Sequence, residues 1–301
     1  MKIKFVLTII LIGFLQNIFT YPITPRPLRK LISESEIIVY ANVINIETIE
    51  SDNHWNDTKA ILVIKEVLQG NIKNDTIEVY FTPFMICPTP AHYEKGTNVL
   101  AFLDKEKEKF ITHALSYGSK TLETEGYEIY KERIIEMQKI SKIKNEEDKT
   151  SKTIDWLISC ATNKYTRWEG VYELSPQSDF MSFYDQDKET FVQKYTLNKN
   201  QKLQLRRAFF NIDDLTYADI GLIDLVVREN DKELVEFLIR KLKETAIEKL
   251  WYKNFLMARI AEFSDRDDLR KIVQEMEEID FMDKKRDEKA NQLAKKFIEK
   301  I

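Results

Sequence analysis

Ile37-Ile38-Val39-Tyr40-Ala41-Asn42-Val43-Ile44 decides how the front of this chain of 301 residues folds. The run is β-branched and aromatic over a strand's length, too short and too unbroken for an amphipathic helix, so it predicts a first strand. Working outward, Pro27 to Glu34 reads as a short helical lead-in, and the polar stretch Glu50 to Thr58 as the turn that follows. Ala60 to Leu68 is the second expected strand, ended by Gly70, and Thr76 to Phe81 the third, with Ile77, Val79 and Phe81 alternating onto one face. The connection through Cys87, Pro88 and Pro90 cannot pair in a central ladder, because proline lacks the N–H donor. After Gly96, Asn98 to Leu103 and Phe110 to Tyr117 complete the set, with Asp104 to Lys109 as a hairpin tip. Five short, mostly antiparallel strands predict a small closed barrel of the OB kind, since closure removes exposed sheet edges.

Past Gly118 and Gly126 the hydrophobic period switches from two to between three and four. Tyr127 to Lys142 sets Tyr130, Ile134 and Met137 on one side, and the charged stretch Lys144 to Lys152 reads as a hinge or loop. Glycine then almost vanishes, with only Gly170 and Gly221 remaining. Candidate helices run Ile154 to Ala161, Arg167 to Leu174, Lys188 to Tyr195, Asn200 to Phe210, Tyr217 to Arg228, Lys232 to Lys243, Ile247 to Phe263, Asp265 to Met276 and Lys284 to Lys300. Three start signals, a capping side chain with an acid three residues on, accompany them: Thr216 with Asp219, Asn230 with Glu233, and Ser264 with Asp267. No consensus repeats at a fixed period, so the expectation is a helical bundle or an irregular α-solenoid. The expected class is therefore α+β: a signal segment over 1–20, an OB-like barrel over 21–125, a connecting helix and charged linker over 126–152, and an all-α domain over 153–301.

The order Ser33-Glu34-Ser35-Glu36-Ile37-Ile38-Val39, then Ile64-Lys65-Glu66-Val67-Leu68-Gln69-Gly70, then Cys87, then Gly96 with Val99-Leu100-Ala101-Phe102-Leu103, resembles the bacterial exported relatives of the tissue inhibitors of metalloproteinases. The resemblance covers residues 28 to 120 and implies an OB-like barrel. In the animal inhibitors the mature N-terminus is a cysteine that chelates the target's zinc, whereas this chain has no cysteine before Cys87. The several disulfides of those inhibitors are missing too. What the resemblance implies here is a barrel used as a binding module.

Met1 to Lys4 is a short basic start and Phe5 to Leu15 an apolar run, the pattern of an export signal, with cleavage expected after Thr20. That run is shorter than the roughly 20 apolar residues of a membrane span, and no later stretch approaches one. The expected location is secreted or periplasmic. The formal charge of −4 becomes more negative once Lys2 and Lys4 leave with the leader, which gives no electrostatic attraction for nucleic acid or anionic lipid. In a eukaryotic source, Asn56-Asp57-Thr58 and Asn74-Asp75-Thr76 would be glycosylation acceptors.

Cys87 and Cys160 are the two cysteines of a chain expected in an oxidising compartment. A bridge between them would close a loop of roughly 70 residues and stabilise the fold by about 4 kcal/mol. The alternative makes Cys87 a nucleophile with His92 or His113 as base, an exported hydrolase. His54, His92 and His113 show no paired-ligand spacing, so no metal site and no cofactor is expected. Arg167, Trp168 and Tyr172 carry two readings: a recognition patch, since these residue types dominate binding energy, or core aromatics at helical spacing with Arg167 at the rim. Phosphate loops, nucleophile elbows and zinc-protease motifs are absent from the sequence. The function expected is an exported two-domain binding protein with a protein or polymer ligand at the cell envelope. A purely structural envelope protein is the third reading.

Overall fold

A computed structural model describes residues 25–49, 57–84, 89–175, 184–185, 190–191, 195–244, 250–280 and 282–301. The expected leader, His54, and Cys87 with its expected bridge to Cys160 lie outside the described residues. A short helix, α1 (Leu28–Glu34), leads into β1 (Ile37–Thr48), β2 (Thr58–Gln69), β3 (Thr76–Phe81), β4 (Asn98–Glu106) and β5 (Lys109–Thr112). Hydrogen bonds run in the order β1, β2, β3, β5, β4 and back to β1, so the sheet closes into a five-stranded OB-like barrel. All pairs are antiparallel except β3 with β5, where Val79 faces Phe110 in parallel register. Closure depends on the length of β1. Register shifts after Ile38, Tyr40 and Val43 bend the strand. It thereby pairs with β2 along Ile38 to Thr48 and with β4 along Ile37 to Asn42.

The barrel interior is filled by alternate residues: Val39, Ala41 and Val43 from β1, Leu62 from β2, Val79 from β3 and Ala101 from β4. The unbroken apolar run at the start of β1 has a simple cause, since Ile37 to Ala41 are buried on both faces. Tyr40 points outward and stacks on Tyr127 of α2 (Thr124–Ile140), ring centroids 3.6 Å apart and nearly parallel. Gln69 donates from Nε2 to the carbonyls of Ile32 (3.2 Å) and Ser35 (2.7 Å), tying α1 to the end of β2. There Gly70 takes φ +85, and an added Cβ would meet the Glu36 carbonyl oxygen at 2.8 Å.

The expected strand Phe110 to Tyr117 is divided. β5 ends at Thr112, Ala114 and Leu115 adopt left-handed backbone (φ 53 and 54), and a 3-10 turn over Leu115–Gly118 leads to β6 (Ser119–Thr121). β6 resumes pairing with β4 at Val99 to Ala101.

The chain divides into two compact units, Met1–Gln138 and Lys139–Ile301. In the second, α3 (Glu146–Ala161), α4 (Arg167–Leu174), α5 (Lys199–Phe210), α6 (Tyr217–Val226), α7 (Lys232–Glu244), α8 (Leu250–Phe263), α9 (Asp267–Glu277) and α10 (Arg286–Lys300) follow one another. Neighbours in sequence pack largely on neighbours: α3 on α4, α5 on α6, α8 on α9 and α9 on α10. The two glycines of this unit stand where helices touch most closely. A Cβ on Gly170 would lie 2.3 Å from the Leu157 carbonyl oxygen, and one on Gly221 would lie 2.6 Å from the Val171 side chain.

Four further expectations change. Most of the charged stretch Lys144 to Lys152 is helix, because the Asn145 side chain accepts from the Asp148 N–H (2.9 Å) and Glu146, Glu147 and Asp148 sit at the positive end of α3. Within the expected helix Lys188 to Tyr195, Thr190–Phe191 is instead a strand (β8) paired antiparallel with Tyr184–Asp185 (β7). The cap of α7 is Asp231, one residue after Asn230, and the start of α9 follows Arg266 with no side-chain cap from Ser264. Thr216 and Asp219 do meet as expected, the carboxylate accepting from the Thr216 N–H at 2.6 Å. Among the described residues no helix is long and apolar enough to cross a membrane.

Candidate binding groove at the barrel mouth

β1 ends at Thr48 and β2 begins at Thr58, so these strand ends lie at one mouth of the barrel, beside Pro83, Phe84, Thr89 and Pro90. Ile46, Thr48, Thr58 and Phe81 supply the strand ends that line a groove of about 540 Å³ there. Pro83, Phe84, Thr89 and Pro90 supply the wall from the β3–β4 connection. Prolines at 83 and 90 bring apolar surface without an N–H to satisfy, which suits a wall that is not part of a ladder. Phe84 is 77% exposed, a large apolar side chain presented to solvent.

The floor is rigid. Tyr93 is buried with its ring 5.0 Å from Phe81, and its hydroxyl shares a hydrogen bond of 2.6 Å with Thr112 Oγ1. Burial pushes the Tyr93 phenol well above its ordinary range, so it stays protonated and serves as a packing and hydrogen-bonding group. The return stretch is pinned to β6, with the His92 N–H donating to Ser119 Oγ at 2.9 Å. Among the described residues His92 is the only ionisable side chain in the lining other than that phenol. The groove therefore offers apolar surface, three threonine hydroxyls and one imidazole.

The histidines are not brought to a common site by any described hydrogen bond. His113 is held by Asp104 (Nδ1 to Oδ2, 2.7 Å) and by Glu34 (Nε2 to Oε2, 3.3 Å), with Arg26 Nε donating to the same Glu34 oxygen at 2.8 Å. Both ring nitrogens of His113 are thus engaged by carboxylates that link α1 to β4. Among the described residues the His92 ring has no carboxylate to orient it as a base. No group of three or more His, Cys, Asp or Glu among the described residues is arranged to hold a metal ion.

Arg167, Trp168 and Tyr172 share α4. Arg167 turns inward, donating from Nη1 to Asp219 Oδ1 (2.8 Å) and from Nε to the Ala161 carbonyl (3.3 Å). Tyr172 is buried, and the half-buried Trp168 ring lies 5.2 Å from it. Cys160 is fully buried in α3. The groove residues Pro83 and Phe84 carried a sequence signal, an aromatic beside prolines in a long connection, that pattern reading assigned only to a loop. Comparison of the chain with protein-family models and with curated proteins gives no match.

Proposed function

We propose that the protein is an exported binding protein whose OB-like barrel holds a polypeptide partner at the cell envelope through the groove beside Phe84. The observation that carries this reading is a mouth groove of about 540 Å³ with a 77% exposed phenylalanine at its wall. Among the described residues the lining holds no lysine, arginine or carboxylate, which selects an apolar or aromatic side chain of a partner over a phosphate or sugar acid. The basic start and apolar run of residues 1–15 support export, and the resemblance of residues 28 to 120 to exported relatives of metalloproteinase inhibitors supports a barrel that grips a protein.

The test is capture of partners from envelope and secreted fractions by the intact chain and by Phe84→Ala. A hot-spot aromatic contributes about 2 kcal/mol or more, so the substitution is expected to weaken capture at least about tenfold while the far-UV circular dichroism stays unchanged. Equal capture by both proteins, or turnover of a substrate in place of binding, overturns the reading.

A further inference from the structure

A second groove, in the helical unit, differs in kind. It encloses about 440 Å³ between the start of α5 and the end of α6. Leu203, Leu225 and Leu197 form an apolar floor, and Lys199, Lys202, Arg206 and Arg228 stand around it, with no carboxylate in the lining among the described residues. Arg206 is already matched. It donates to both oxygens of Asp231 and, from Nη2, to Glu233 Oε2 at 2.6 Å, so the two nearby acids are spent behind the groove. Lys199, Lys202 and Arg228 are exposed, and among the described residues none of the three ends in an ion pair. Another large cavity of this unit provides the contrast, because its lysines are neutralised, Lys289 by Asp283 (2.6 Å) and Lys296 by Glu275 (2.9 Å).

We infer that the groove between α5 and α6 is a binding site for an acidic peptide segment of a partner protein, with apolar side chains alternating with its carboxylates. The chain as a whole carries −4, so attraction of an anion has to be local. Surface charges act over about 8 Å at physiological salt, which confines the effect to this groove. Lys199 and Lys202 are three apart on the first turn of α5 and face the same side, while Arg228 follows α6 on the other wall. A single anionic head would match one wall. An extended peptide points successive side chains to opposite faces, so leucines settle on the floor while the intervening glutamates stay at the open side, within reach of the long cationic side chains on the rims.

The experiment measures binding of a short fluorescein-labelled peptide of alternating glutamate and leucine to the full chain by fluorescence anisotropy, at low and at high salt. Its comparison is the triple variant Lys199→Glu, Lys202→Glu and Arg228→Glu. Acids in the first turn of α5 complement the helix dipole, so the variant is expected to fold, as circular dichroism checks. Saturable binding, weakened about tenfold or more by the three reversals and by salt, supports the site. No saturable binding, binding unchanged in the triple variant, or equal binding of a lysine–leucine peptide overturns it. Binding of phosphatidylglycerol vesicles without binding of the peptide overturns it too, in favour of a membrane surface.

Discussion

Arg206 and Asp231 meet deep in the helical unit through two hydrogen bonds, and Asp231 also accepts from the backbone N–H of Leu234 (3.2 Å) and Arg228 (3.1 Å). Burial works to raise the Asp231 pKa, but Arg206 and the two amides outweigh it and hold the carboxyl below its ordinary range. A carboxylate depressed in the folded state adds stability above the unfolded pKa and loses it as pH falls through that range. Denaturant midpoints measured between about pH 5 and pH 2 are expected to fall for the native chain and to fall less for Asp231→Asn, the rest of the fall coming from other depressed carboxyls such as Asp268 and Asp283. At neutral pH the same substitution leaves Arg206 buried with Glu233 as its remaining carboxylate partner among the described residues and is expected to cost about 3 kcal/mol, read from urea unfolding. Gly170 makes the complementary case, in which the missing atom matters. Gly170→Ala sets a methyl 2.3 Å from the Leu157 carbonyl oxygen and 2.4 Å from the Ala161 nitrogen, and neither backbone atom can yield cheaply. The expected cost is about 1–3 kcal/mol, seen as a lower thermal midpoint. Sequence reading noted that Gly170 and Gly221 are the last two glycines without telling why, because a helix crossing is set by residues far along the chain.

At the scale of the element, local signals and tertiary demands part company. The edges of α4 and β3 match their sequence expectations, since Arg167–Leu174 and Thr76–Phe81 carry their own periodicity. The division between β5 and β6 had no such mark. Phe110 to Tyr117 reads as one strand, and only the demand that β4 be paired first by Lys109 to Thr112 and then by Ser119 to Thr121 forces the left-handed step at Ala114 and Leu115. The start of α3 was legible in principle, since an asparagine followed by three acids is a cap and a dipole match, yet the dense charge of Lys144 to Lys152 obscured it. Asn145→Ala is expected to destabilise the helical unit by about 1 kcal/mol, with Asn145→Asp near neutral, both read from denaturant midpoints. The barrel groove was less legible than its walls. Phe84 sits among prolines in a connection whose later part is held by contacts such as His92 with Ser119, and periodicity does not reach such contacts.

For the whole molecule, the order barrel then helices was plain from the change of hydrophobic period, because each half states its own repeat in every element. The binding surfaces were not, because exposure depends on what the rest of the chain leaves uncovered. Each unit has its own buried core, the barrel around Val39, Leu62 and Ala101 and the helices around Trp156, Phe209 and Leu238. A fragment ending at Ile143, between α2 and α3, is expected to unfold in one cooperative transition with a β-rich spectrum. A fragment lacking any cooperative transition would mean that the barrel needs the helices to stand.

The flat pairing of Tyr40 with Tyr127 has a spectroscopic consequence. Two phenol rings 3.6 Å apart and parallel couple their transitions, which gives the first unit a near-ultraviolet dichroism that vanishes when α2 lifts from β1. Three of the four tryptophans, Trp156, Trp168 and Trp251, belong to the second unit. The coupled signal of this one ring pair therefore follows the first unit, while indole emission mainly follows the second.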